Sequence, residues 1–70
     1  MKNLNKAKFI STSAFNSIKK QFASLGYPNT IDDGEITIWD DDKAIVKAMP
    51  HSNSKSYIMA YDTNYMEEQA

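Results

Sequence analysis

One histidine, a run of three aspartates and eight lysines with no arginine are what this 70-residue chain offers to chemistry. Nucleophilic catalysis needs a nucleophile beside a base that a third group orients. His51 stands in Pro50-His51-Ser52-Asn53-Ser54, a run of turn formers. Neither Ser52 nor Ser54 lies on the G-x-S-x-G elbow that exposes a nucleophile, so His51 reads as a solvated loop residue. Asp40-Asp41-Asp42 has the charge for a divalent cation but not the spacing. Calcium loops alternate their oxygen ligands, turn on a glycine and close on a bidentate glutamate; here the acids are contiguous and Lys43 follows. The run reads as a hairpin tip, or as an acidic knob that orients a partner with a basic surface. Gly26 and Gly34, the only glycines, cannot build a Gly-rich phosphate cradle. With no cysteine there is neither a disulfide nor a thiolate metal site. The expectation is a chain without catalytic residues, metal or cofactor, and not an enzyme.

Phosphate chemistry is disfavoured for a second reason. Arginine is the side chain most used for bidentate phosphate and guanine contacts, and there is none. The lysines are also unevenly placed. Lys2, Lys6, Lys8, Lys19 and Lys20 share the first twenty residues with no acid, whereas Asp32, Asp33, Glu35 and Asp40–Asp42 face only Lys43 within residues 21–46. Met1–Asn5 is polar and no long apolar run follows, so neither a signal peptide nor a membrane span is expected, and the cytoplasm is the default.

These residues must be positioned by a single small domain spanning 1–70. At 41% hydrophobic residues and a net charge of −1 the chain has enough apolar content to fold. A chain this short buries a modest core, which leaves either self-association or an unaided, marginal stability.

Phe15, Ile18, Phe22 and Leu25 recur at i, i+3, i+7 and i+10, one stripe of a helix near Thr12–Leu25, with Lys19, Lys20 and Gln21 turned to water. Ser11 is the N-cap, with Ile10 and Phe15 placed as a hydrophobic staple. Gly26 at C′, Tyr27 at C″ and Phe22 at C3 spell a Schellman stop, and Pro28 follows. Asn29–Gly34 has turn chemistry. Glu35–Trp39 then alternates with period 2, Ala44–Met49 is its hairpin partner, and Ser56–Asp62 is a third strand. The fold class is α+β: one N-terminal helix packed on a three-stranded antiparallel meander, with a short extra strand at Lys8–Ile10. Thr63–Ala70 adds a last helical turn or frays.

Period 2 also assigns faces. Ile36, Ile38, Val46, Ala48, Ile58 and Ala60 are expected under the helix, where small residues admit a close approach. The far face then holds Trp39, Ile45, Met49, Tyr57, Met59 and Tyr61. An ordinary solvated face would carry Thr, Lys, Glu and Ser. Either the N-terminal segment or the tail with Tyr65 and Met66 covers it, or it is an exposed patch of the residue types that enrich binding surfaces.

The expected function is a non-enzymatic protein-binding module, an inhibitor or regulator acting by occupancy. Trp39, Ile45, Met49, Tyr57, Met59 and Tyr61 would give affinity, and Asp40, Asp41 and Asp42 orientation. A homodimer through the same face is included in that expectation. In size and character, though in no specific motif, the chain is similar to small proteins of phages and mobile elements that block a host complex, anti-CRISPR inhibitors among them. The alternative is a small nucleic-acid binder using the N-terminal lysines for phosphates and tyrosines for stacking.

Overall fold

The structure is a computed structural model and describes residues 4–51 and 56–66. Five strands and one helix follow in the order β1 (Lys6–Ser11), α1 (Thr12–Ser24), β2 (Asn29–Asp32), β3 (Glu35–Asp40), β4 (Lys43–His51) and β5 (Ser56–Tyr61). The strands form one antiparallel sheet in the order β1-β5-β4-β3-β2. This corrects the expected three-stranded meander. β3, β4 and β5 are the meander, but β1 pairs along its whole length with β5 and β2 adds a strand on the other edge. The class remains α+β.

The helix is set by its ends. Ser11, in extended conformation, accepts from the Ala14 N–H through its hydroxyl at 3.2 Å, satisfying a first-turn donor that has no carbonyl partner. At the other end Gly26 takes φ +96°, the Tyr27 N–H donates to the Phe22 carbonyl and the Gly26 N–H to the Ala23 carbonyl, both at 3.0 Å. That is the Schellman pattern. The Phe22 and Tyr27 rings lie 5.8 Å apart, the apolar contact that accompanies it. Phe15 and Phe22 are buried and Ile18 packs against the core. Leu25 does not complete the stripe: it is the C-cap and 71% exposed.

Asn29–Asp32 was expected as turn, and only Asp33-Gly34 is. Asp32 pairs with Glu35, leaving a two-residue loop whose residues have φ 55° and 83°. An Asp-Gly pair with both φ positive suits a tight hairpin, because its twist matches that of the flanking strands. Asp40 likewise pairs with Lys43, so Asp41-Asp42 alone makes the tip of the next hairpin, with Asp41 at φ 58°.

Cross-strand register divides the sheet into faces. Lys8, Met59, Ala48, Ile36 and Ile31 form one row across all five strands, and Lys6, Tyr61, Val46, Ile38 and Asn29 the next. These rows belong to the helix side of the sheet: Tyr57, two residues before Met59, meets the Phe15 ring at 4.9 Å, while the row ends Lys6, Asn29 and Ile31 stay exposed. The expected faces of β3 and β4 therefore hold for Ile36, Ile38, Val46 and Ala48, whereas β5 is inverted. Tyr57, Met59 and Tyr61 point under the helix, and Ile58 and Ala60 away from it. A five-stranded sheet offers more surface than one 13-residue helix covers, so the larger β5 side chains are needed inside.

A register shift between Ile38 and Trp39 inserts one extra residue into β4. Ile45 and Val46 are consecutive yet both fully buried, which strict alternation forbids and a bulge permits. The Ile45 carbonyl accepts from the Asp62 N–H at 2.9 Å.

After β5 the chain folds back. Tyr65 and Met66 N–H groups donate to the Asp62 carbonyl, and both side chains pack on the core beside the helix. Among the described residues, Tyr65 and Met66 cover the helix side of the sheet. The expected turn at 52–54 and the end of the tail, 67–70, lie outside the described residues. Among the described residues no helix is long and apolar enough to cross a membrane.

Candidate binding surface

The far face contains a different set of residues from those expected on it. Ile45, Met59 and Tyr61 are fully buried, and Tyr57 is partly buried against Phe15. Ile45, Met59 and Tyr61 belong to the core, and Tyr57 packs against it on the helix side. Trp39 is partly buried, and its indole N–H donates to the Thr30 hydroxyl at 2.9 Å, tying β3 to edge strand β2. Met49 stays where it was expected, 48% exposed.

Beside Met49 the register brings Phe9, which was not singled out, and Ile58, which was expected on the helix side. Phe9 pairs with Ile58 and Ile58 with Met49, a row of three apolar side chains across β1, β5 and β4. Phe9 is 68% exposed, and its ring meets the edge of His51 at 5.0 Å. His51, expected in a solvated loop, is the last residue of β4 and partly buried. The next row along the same face is Ala7, Ala60, Lys47, Thr37 and Thr30, small and polar, with Lys47 and Glu35 3.8 Å apart. One signal for Phe9 was present in the sequence. Lys6-Ala7-Lys8-Phe9-Ile10 alternates once it is read as a strand, and Phe9 falls opposite Lys8 and Ile10.

The three aspartates divide as well. Asp40 is partly buried and accepts a short hydrogen bond from the Tyr65 hydroxyl. The Lys43 ammonium sits 4.8 Å from the centre of the same ring, and Tyr27 packs edge-on at 6.0 Å. The bond to Asp40 stabilises the neutral phenol and holds Tyr65 above the usual tyrosine pKa, with the neighbouring Lys43 pulling the other way. Lys43 is raised in turn, first by its hydrogen bond with Tyr65. Asp40 thus fastens the tail to the β3–β4 hairpin, and only Asp41 and Asp42 are exposed.

The acidic tip lies at the wrong end for Met49. Met49 lies six positions along β4 from Lys43, about 20 Å at ~3.3 Å per residue. The acids at the Met49 end are those of the other hairpin, Asp32 and Asp33, where a Cβ on Gly34 would stand 3.9 Å from Pro50. Among the described residues no group of three or more His, Asp or Glu side chains is placed to hold a metal ion. A comparison with protein-family models, with curated proteins and with solved structures finds no match to the chain.

Proposed function

We propose that the chain is a non-enzymatic protein-binding module, an inhibitor or regulator acting by occupancy, that presents the uncovered face of its sheet. The observation that carries this reading is the row Phe9–Ile58–Met49. It is a contiguous apolar strip with a 68% exposed aromatic, on a face over which no helix or tail residue packs among those described. Exposed apolar surface of this kind costs solubility and marks contact sites. Asp32 and Asp33 at one end of the strip, with the Lys47–Glu35 pair beside it, provide a charged rim that sets orientation and encounter. A partner with an apolar centre and a basic margin fits it, whether a foreign protein complex or a second copy.

The alternative reading is a nucleic-acid binder using the N-terminal lysines and tyrosine stacking. Phe9 and the pair Lys6 and Lys8 lie on opposite faces of β1, and Tyr61, whose ring the Lys8 ammonium approaches at 5.9 Å, is fully buried and offers no face to a base. Lys19 is 6.0 Å from the Phe15 ring on the helix, also away from the strip. The test is a comparison of affinity-tagged wild type with Phe9→Ser/Met49→Ser in extracts of the producing cells. Proteins retained by wild type, tolerant of salt and lost with the variant support the reading. Retention that survives the double substitution, or that collapses steeply with salt as counterion release dictates, defeats it.

A further inference from the structure

The helix side of the sheet carries a second feature, independent of the strip. A half-open groove of about 360 Å³ runs between the C-terminal half of α1, the β1 edge and the 62–66 turn. That volume is at the lower end of the ~300–1,000 Å³ typical of small-molecule sites. Its walls are Ile18 and Phe22 from the helix and Tyr65 and Met66 from the turn, and Leu25 lines it while remaining 71% exposed. An aliphatic residue left open beside an apolar groove is surface that an inserted chain would remove from water.

The groove also holds one cation. Lys8 lies on the helix face of β1, paired across the sheet with Met59, and is partly buried. Its ammonium is 5.9 Å from the centre of the Tyr61 ring. Among the described residues no carboxylate comes within 4.0 Å of it. A lysine whose stem runs along an apolar wall keeps its charge at the mouth, and Gln21 lines the same groove with an amide donor. We propose that the groove binds an amphipathic anion, an alkyl carboxylate of medium chain length. The chain lies along Ile18, Phe22, Leu25 and Met66, and the carboxylate accepts from Lys8 and Gln21. An apolar tail alone brings Lys8 no counter-charge, and an alkyl cation sets like charges together.

Titration of the full 70-residue chain with decanoate and with decyltrimethylammonium, each below its micelle concentration, followed by amide nuclear magnetic resonance, tests this. Decanoate should shift Ile18, Gln21, Leu25, Tyr65 and Met66 saturably, and bind roughly tenfold more tightly than the cation. Lys8→Met, which keeps the apolar stem, should abolish that preference. Leu25→Asp, at an exposed position, should weaken decanoate further while the spectrum stays dispersed. The absence of saturable shifts, equal binding of the two probes, a preference that survives Lys8→Met, or shifts centred on Phe9, Ile58 and Met49 would each overturn the proposal. Failure here leaves the strip on the other face untouched, and the reverse is equally true.

Discussion

The two faces of one sheet have similar strands behind them and opposite fates. Under the helix, Ile36, Ile38, Val46, Ala48, Met59 and Tyr61 are all buried, and Phe15 and Phe22 close over them. On the other face Phe9 and Met49 remain open, and Thr37 is the one residue of the Ala7–Thr30 row that is buried. What separates the faces is cover, not hydrophobicity. A phenylalanine contributes to stability only when something excludes water from it. The same residue type is a core element at position 15 and a surface element at position 9.

That contrast can be broken most directly by truncation on each side. Tyr61→Ala, at a fully buried position, should cost about 3–5 kcal/mol by loss of burial and the cavity left behind. For a small domain that is enough to populate the unfolded state without denaturant. Phe9→Ser should change the urea midpoint by the equivalent of about 0.5 kcal/mol or less, as exposed positions do. Comparable losses at the two sites would mean that Phe9 is covered after all. Gly26→Val should come next, with at least ~1 kcal/mol. Nothing lies within 4 Å of an added Cβ there, so the whole cost is a β-branched residue at positive φ. An unchanged midpoint would remove the helix stop, and with it the placing of Tyr27, from what builds the covered face.

A smaller effect concerns the tail. Tyr65 and Lys43 both have pKa values raised by folding. The stability they contribute is therefore complete below their unfolded values, near 10, and disappears as pH rises through the folded ones. Wild type should exceed Tyr65→Phe at neutral pH and lose that advantage in alkali; an advantage that persists there would assign it to packing instead. Least of all should come from Lys47→Gln, which breaks a pair whose partners are 44% and 31% exposed. A change beyond about 0.5 kcal/mol in denaturation would show the pair to be shielded and that part of the face to be covered.

The parts of the fold legible in the sequence are those decided by near neighbours. Ser11, Gly26, Tyr27 and Pro28 announce the ends of α1 because capping is settled within five or six residues. Strand β3 announces itself by alternation, and β4 and β5 follow as apolar runs bounded by turn formers. β2 does not: Asn29-Thr30-Ile31-Asp32 has one aliphatic residue, all four positions are exposed, and its strand character comes from pairing with β3 and from the Trp39–Thr30 bond. The inverted face of β5 shows the same limit. Tyr57-Ile58-Met59-Ala60-Tyr61 is apolar on both sides, so period alone leaves its orientation open. Five strands under one helix call for the larger set, Tyr57, Met59 and Tyr61, to face inward. The apolar strip was half visible for this reason: Met49 could be placed from β4, but Ile58 joins it only in the observed facing of β5 against β4, and Phe9 only when β1 pairs with β5.

If the open face meets a protein, a photocrosslinker placed at its exposed aromatic, Phe9, will capture that protein. With p-benzoylphenylalanine at position 9, and separately at exposed Lys20 on the helix as control, illumination in extracts of the producing cells should give a discrete adduct to a polypeptide from position 9 alone. The adduct should persist at high salt and disappear when Met49→Ser accompanies the label. No adduct at position 9, an adduct to nucleic acid, or equal adducts from positions 9 and 20 would contradict the account.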